Sequence, residues 1–237
     1  MSMLKELFKK LIVMFIPSRC RLCATVTEVS SCLCDDCKTA LRPNGKLCHK
    51  CGLTKEDCKC DEHNYKFEYA QFTAPFYFCN SIAKGIIRFK NYGYTELAKP
   101  YAAEIVNSIN ANFDSKNFDC VTYVPMRKIR RRKRGYNQSQ LLANEVAEIM
   151  HLPVRDLLIK TRRTKSQRSS SARERRANLH GAFDLAQSEN ADGLRVLIID
   201  DVKTTGSTLS ECALTLKAYG AECIYAATVA VVDENKR

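Results

Sequence analysis

Four cysteine pairs follow one another between Cys20 and Cys60: Cys20-x2-Cys23, Cys34-x2-Cys37, Cys48-x2-Cys51 and Cys58-x-Cys60. The gaps between them are ten, ten and six residues. Nothing else restricts this part of the chain as strongly. Residues 20–60 show little periodic apolar pattern, so they need a staple in place of a core. A short cysteine knuckle turns two thiolates toward one ion, and two knuckles complete a tetrahedral S4 set suited to Zn2+. The simplest grouping is Cys20, Cys23, Cys34 and Cys37 on one ion and Cys48, Cys51, Cys58 and Cys60 on a second. The final pair has one intervening residue, so Cys32, Asp61 and His63 stand as alternative ligands for the second set. A closed S4 site is structural and leaves no position open for catalysis.

Nine of the 13 cysteines of the 237-residue chain lie in this segment. The remaining four, Cys79, Cys120, Cys212 and Cys223, stand singly in apolar surroundings and read as small core residues. Ahead of the pairs, Leu4, Leu7, Phe8, Leu11, Ile12 and Phe15 recur at helical spacing until Pro17, predicting an amphipathic helix over residues 1–17. Such a helix docks on the protein, on a partner or on a membrane surface. The apolar run Leu11 to Ile16 is too short for a signal peptide. Clustered cysteines without a secretion signal point to the cytosol and to metal, with the inner membrane face within reach of the helix.

From Tyr65 the texture changes. Apolar and β-branched runs at Phe67–Phe78, Asp119–Val124, Arg195–Ile199 and Cys223–Val232 predict strands. Helical patterns at Ser81–Lys90, Tyr94–Asn112, Ser139–Met150 and Ser207–Tyr219 alternate with them. Alternation of this kind predicts an α/β domain with a largely parallel sheet. The expected organisation is a helix over 1–17, a cysteine module over 18–64 and the α/β domain over 65–237. Residues 160–180 show no apolar period and read as a basic loop.

The run from Arg195 to Thr208 is the sharpest local signal. An apolar strand meets two acidic residues, Asp200 and Asp201, and the turn Thr204-Thr205-Gly206-Ser207-Thr208 opens a helix. Backbone N–H groups at a helix start, with hydroxyls beside them, bind phosphate. Gly206 allows close approach of the backbone. Carboxylates at the carboxyl end of a strand sit where open α/β sheets bind ligands, and they can accept hydrogen bonds from a sugar diol. There is no G-x4-G-K-[ST], which excludes a nucleoside triphosphate P-loop.

This run resembles the phosphoribosyl pyrophosphate (PRPP) loop of type I phosphoribosyltransferases. Together with Val124-Pro125, Arg134-Gly-Tyr-Asn-Gln138, Arg163-Thr164-x-x-Gln167, Arg175-x-x-Asn178 and Ala182-Phe183, it resembles the ComF family over roughly residues 16–232. That resemblance implies a zinc ribbon, single or double, ahead of a type I phosphoribosyltransferase-like sheet with helices on both faces. It implies that Asp200 and Asp201 hold the ribose hydroxyls and that Thr204, Thr205, Gly206, Ser207 and Thr208 hold the 5′-phosphate. Pro125 and Arg127 fall on the pyrophosphate loop. Arg134, Arg163, Gln167 and Arg175 are further substrate-binding candidates, and residues 163–178 correspond to a loop that closes over substrate. The family is linked to natural transformation. The chain departs from the family at Cys58-x-Cys60 and at Lys203.

The formal net charge of +12 has a local origin. Residues 125–180 hold 16 Lys and Arg against 4 Asp and Glu. Lys128 to Arg134 is cationic at six of seven positions, and Lys160 to Arg176 adds eight more. One reading is displacement at an anomeric carbon that expels pyrophosphate, with arginines and substrate-held Mg2+ neutralising the leaving group. Another is a non-catalytic single-stranded DNA binder with salt-sensitive affinity, in which Tyr92 and Tyr136 stack on bases. The third is a solvated basic face. A helicase docking on the cysteine module is a further partner class. The sequence names no acceptor and no general base; His151 and His180 are lone histidines, of which His180 lies nearer the basic loop.

Overall fold

The computed structural model describes residues 18–27, 33–40, 47–58, 60, 66–161 and 181–233. The predicted N-terminal helix, Cys32, Asp61, His63, Arg163, Gln167, Arg175 and His180 lie outside the described residues, as does most of the predicted closing loop.

The elements in chain order are α1 (Asp35–Ala40), β1 (Gln71–Thr73), β2 (Phe76–Tyr77), α2 (Asn80–Asn91), α3 (Ala98–Asn112) and β3 (Cys120–Tyr123). Then follow α4 (Lys128–Arg134), α5 (Gln138–Met150), β4 (Leu158–Lys160), β5 (Phe183–Leu185), β6 (Arg195–Lys203), α6 (Ser207–Ala218) and β7 (Cys223–Val231). The main sheet has the order β1-β7-β6-β3, with β2 also on β7, and every pair in it is parallel. A short antiparallel pair, β4 with β5, stands apart.

Each long helix buries the stripe its sequence advertised. In α2 the fully buried residues are Ile82, Ile86 and Phe89, and in α5 they include Leu142 and Val146, the spacing of one helical face. Alternation along β6 divides the core. Leu197 and Ile199 face α2, α3 and α5, whereas Val196 and Ile198 face α6 and the β4–β5 pair. A strand buried on both sides reads as continuous apolar sequence, which is why β6 and β7 were legible.

Three expectations change. The strand predicted over Phe67–Phe78 is two short strands, because Pro75 between them lacks the N–H that a ladder requires. The strand predicted over Arg195–Ile199 runs on to Lys203, so Asp200 and Asp201 lie within it. Cys79 and Cys223 are only half-buried, unlike the buried Cys120 and Cys212. No helix among the described residues is long and apolar enough to cross a membrane.

The cysteine segment leans on both faces of the sheet. Cys20, Leu22, Cys23 and Cys37 belong to the core of α2 and α3. Leu53 packs against the opposite core, which contains Tyr69 and Phe72.

Candidate functional site

The eight predicted cysteine ligands fall into two groups, Cys20, Cys23, Cys34 and Cys37, and Cys48, Cys51, Cys58 and Cys60. Within each group the sulfurs lie within 4.8 Å of one another. A tetrahedron with metal–sulfur bonds of about 2.3 Å has sulfur–sulfur edges of about 3.8 Å. The spacings Cys23–Cys34 at 3.6 Å, Cys51–Cys58 at 3.6 Å and Cys48–Cys60 at 4.0 Å fit that figure. Both sets can therefore hold Zn2+, and the single-residue gap of Cys58-x-Cys60 does not prevent closure.

The two knuckles at Cys20 and Cys48 repeat one geometry. In each, the residue after the second cysteine is left-handed, Ala24 at φ 58° and Gly52 at φ 77°. Its N–H donates to the first cysteine's carbonyl, at 2.8 Å for Cys20 and 2.7 Å for Cys48. Their outer carbonyls are also engaged alike. The Leu22 carbonyl accepts from Tyr101 Oη and that of Cys23 from Arg88. At the equivalent positions, Lys50 O accepts from Tyr69 Oη at 2.9 Å and Cys51 O from Lys203 Nζ at 3.1 Å. One tyrosine and one cation thus dock each knuckle.

Toward the same, C-terminal end of β6, the sheet opens. β3 stops at Tyr123, opposite Ile199, and beyond that point β6 pairs only with β7. Asp200 and Asp201 project past the end of β3. The chain after β3 turns through Val124, Pro125 and Met126 into α4, and α5 begins beside it. Asn137 caps α5 by accepting from Ser139 N at 3.2 Å and holds the turn by donating to Val124 O at 3.1 Å.

The result is a cavity of about 180 Å3. Pro125, Arg127, Arg130, Ser139, Lys160, Asp200 and Asp201 are among its lining residues. The structure therefore joins four predicted site residues: Pro125, Arg127, Asp200 and Asp201. Arg134 does not line it and bonds Gln138 instead. Thr205 and Ser207 line a separate hollow of about 220 Å3 with Phe67 and Ser210. Thr204 is exposed, and Thr208 is half-buried in the first turn of α6.

The acidic pair is not symmetric. Ser139 Oγ donates to Asp200 Oδ1 at 2.7 Å. Burial raises the Asp200 carboxyl to about 7, with the neighbouring Asp201 charge acting in the same direction; the Ser139 hydrogen bond and Lys90 oppose both. Asp201 is 4% exposed. Its Oδ1 meets Lys90 Nζ at 2.9 Å, and its buried Oδ2 has no hydrogen-bond partner among the described residues. Lys160, at the end of β4, has its ammonium held below the usual range by burial. Lys90, Ser139 and Lys160 were not singled out as site residues from sequence. Only their place after folding marks them, although Ser139 lies one residue beyond the Arg134–Gln138 motif.

The hydroxyl turn is built tightly. Gly206 has φ 77°, and a Cβ there would lie 2.7 Å from Phe67 Cε1 and 2.8 Å from Lys203 Cε. Both conformation and space demand glycine. Thr205 Oγ1 and Ser207 Oγ are 2.7 Å apart. Beneath the turn Lys203 is buried, its ammonium 5.0 Å from the ring centres of Phe67 and Phe72. Burial draws it down to about 8.

Two aromatic candidates differ in availability. Tyr92 is 69% exposed. Tyr136 donates to the Phe89 carbonyl and packs on that ring, so it is committed to the fold. His151 is the left-handed cap of α5. The helix α4 was not anticipated; Lys128 to Lys133 are all exposed along it.

The model of the phosphoribosyl transferase domain family matches residues 137–237. Competence protein F of Haemophilus influenzae is 39% identical over 106 residues, covering 44% of this chain and 46% of that protein. This match therefore spans less than half of that relative's length. The DNA utilization protein YhgH of Escherichia coli K12 is 28% identical over 223 residues, 88% of this chain and 95% of that one. Competence protein ComFC of Bacillus subtilis is 24% identical over 197 residues, 79% of each. Two four-cysteine clusters thus stand ahead of a parallel sheet of the type I phosphoribosyltransferase kind, and the chain is similar to competence proteins F and ComFC.

Proposed function

We propose that the cavity at the end of β6 binds PRPP or a related ribose phosphate, and that the protein serves DNA uptake. The observation that carries this reading is the convergence of Asp200 and Asp201 with Pro125, Arg127, Arg130 and Lys160 around one cavity, while the next connection, at Thr205–Ser207, opens α6. The carboxylates accept from the ribose diol. The N–H groups that begin α6 and the adjoining hydroxyls receive the 5′-phosphate. Arg127, Arg130 and Lys160 face the pyrophosphate. The names of the relatives, competence and DNA utilization, support the cellular role.

The site residues also suit Mg2+. Asp201 Oδ2 is a buried oxygen without a hydrogen-bond partner among the described residues, and Mg2+ is held by one or two carboxylates together with substrate phosphates. Bound there, the ion would supply charge neutralisation to the pyrophosphate. The protein's own part is to position that group and to keep cations around it. Pentosyl transfer is the reaction class this arrangement serves.

A second reading rests on α4. Its exposed run of Lys and Arg, beside the cavity, suits the backbone of single-stranded DNA. Titration with PRPP and Mg2+, then with an oligonucleotide at rising salt, separates the two. The first reading expects PRPP binding that Asp200→Asn with Asp201→Asn abolishes. Oligonucleotide binding with a steep salt slope and no response to PRPP would favour the second.

A further inference from the structure

Lys203 is the charged residue of the DDVKTTGST run that the ribose-phosphate site does not use. Its side chain is buried. The ammonium donates to the Cys51 carbonyl at 3.1 Å and lies between the rings of Phe67 and Phe72, each centred 5.0 Å away. Its Cε sits directly under Gly206, close enough that a methyl there would approach to 2.8 Å. Lys203 thus touches the hydroxyl turn with its stem and the second four-cysteine site with its head.

The neighbours make that contact stiff. Phe72 N donates to His49 O at 2.7 Å, Tyr69 Oη to Lys50 O at 2.9 Å and Lys203 to Cys51 O. Three successive carbonyls of the knuckle are therefore fixed by the α/β domain. Phe67 stacks on Tyr69 with ring centres 5.2 Å apart, and Phe67 is also the ring under the Gly206 turn. The first four-cysteine site has an equivalent tyrosine and cation, Tyr101 and Arg88, but these come from α3 and α2 on the other face. Among the described residues, the second site alone reaches the turn.

We infer that Lys203 is a positioning residue that couples the second four-cysteine site to the phosphate turn. Metal on Cys48, Cys51, Cys58 and Cys60 fixes the Cys51 carbonyl, the carbonyl holds Lys203, and Lys203 with Phe67 supports Gly206 in its left-handed form. The ligand half of this coupling rests on the ribose-phosphate reading. Coupling of two binding events is reciprocal, so a ligand on the turn must also hold the metal more firmly.

The test uses full-length, zinc-loaded protein and competes for its zinc at equilibrium with a chromogenic chelator, with and without ribose 5-phosphate. A Cys58→Ser variant identifies which bound zinc belongs to the second site. The expected result is that ribose 5-phosphate raises zinc affinity at the second site about fivefold or more and leaves the first unchanged. Lys203→Met abolishes that gain and weakens ribose 5-phosphate binding by a similar factor; an undiminished gain in Lys203→Met would overturn the role of Lys203. Should Lys203→Met fail to fold, the wild-type comparison decides the coupling and Lys203→Arg, which keeps a donor to the Cys51 carbonyl, is expected to retain the gain. Ribose 5-phosphate binding with unaltered zinc affinity would overturn the coupling and spare the site. Absence of ribose 5-phosphate binding to wild-type protein would overturn the ribose-phosphate reading and the coupling with it.

Discussion

Lys90, in the last turn of α2, places its ammonium 2.9 Å from Asp201 Oδ1. The carboxylate is almost wholly buried, whereas the lysine remains partly in contact with solvent. Removing one partner of a buried pair leaves an uncompensated charge, which costs about 3 kcal/mol or more. Lys90→Met is therefore expected to lose about that much stability in urea denaturation at neutral pH. The double variant with Asp201→Asn should recover most of it, because the orphaned charge is gone. A loss in the double variant equal to the sum of the Lys90→Met and Asp201→Asn losses would show that the pair is not coupled.

Asp200 gives the site a pH dependence. Its carboxyl rises from the ordinary 3.8 to about 7 in the folded protein. The folded state then binds more protons than the unfolded state between those values, so this group's contribution to stability falls as pH rises from about 4 to 7. Unfolding free energies of wild type and Asp200→Asn, compared across that window, should diverge in this direction. Comparison with the variant cancels the titration of the cysteine sites. A difference that does not change with pH would contradict the raised value.

Ser139→Ala removes a hydrogen bond to the charged form of Asp200, which favours the neutral form. The pH at which ribose 5-phosphate binding changes should move upward relative to wild type. Binding titrated at several pH values reads this directly.

Gly206→Ala forces a left-handed residue and a methyl into space held by Phe67 and Lys203. A loss of about 1–3 kcal/mol is expected from backbone strain alone. Thermal unfolding measures it, and a variant as stable as wild type would mean that the turn is free to rearrange.

Much of this architecture was readable from sequence, and the exceptions have physical causes. The cysteine spacing specified both four-sulfur groups because a knuckle is a local object. β7 and most of β6 were legible because both their faces are covered. Pro75 hid the division of the first strand. α4 has no apolar stripe to reveal it; Gly135, at φ 88°, ends it. The partners of the acidic pair were not visible, since Lys90 and Ser139 reach β6 only when α2 and α5 pack on the sheet. Lys203 stood out from sequence solely as a departure from the family; its role depends on a carbonyl in a distant knuckle.

Metal content tests the cysteine assignment. Purified protein should carry about two zinc ions per chain, and Cys58→Ser about one, by four-ligand counting. A value near one in wild type would remove the second site.

The central claim is that the cavity bounded by Asp200, Asp201, Arg127 and Lys160 is a ribose-phosphate site. Isothermal titration of zinc-loaded protein with PRPP in the presence of Mg2+ tests it most directly. Saturable binding near one ligand per chain, lost in the Asp200→Asn, Asp201→Asn variant while its zinc content stays unchanged, is the predicted result. No heat of binding in wild type, or equal binding by the variant, would contradict it.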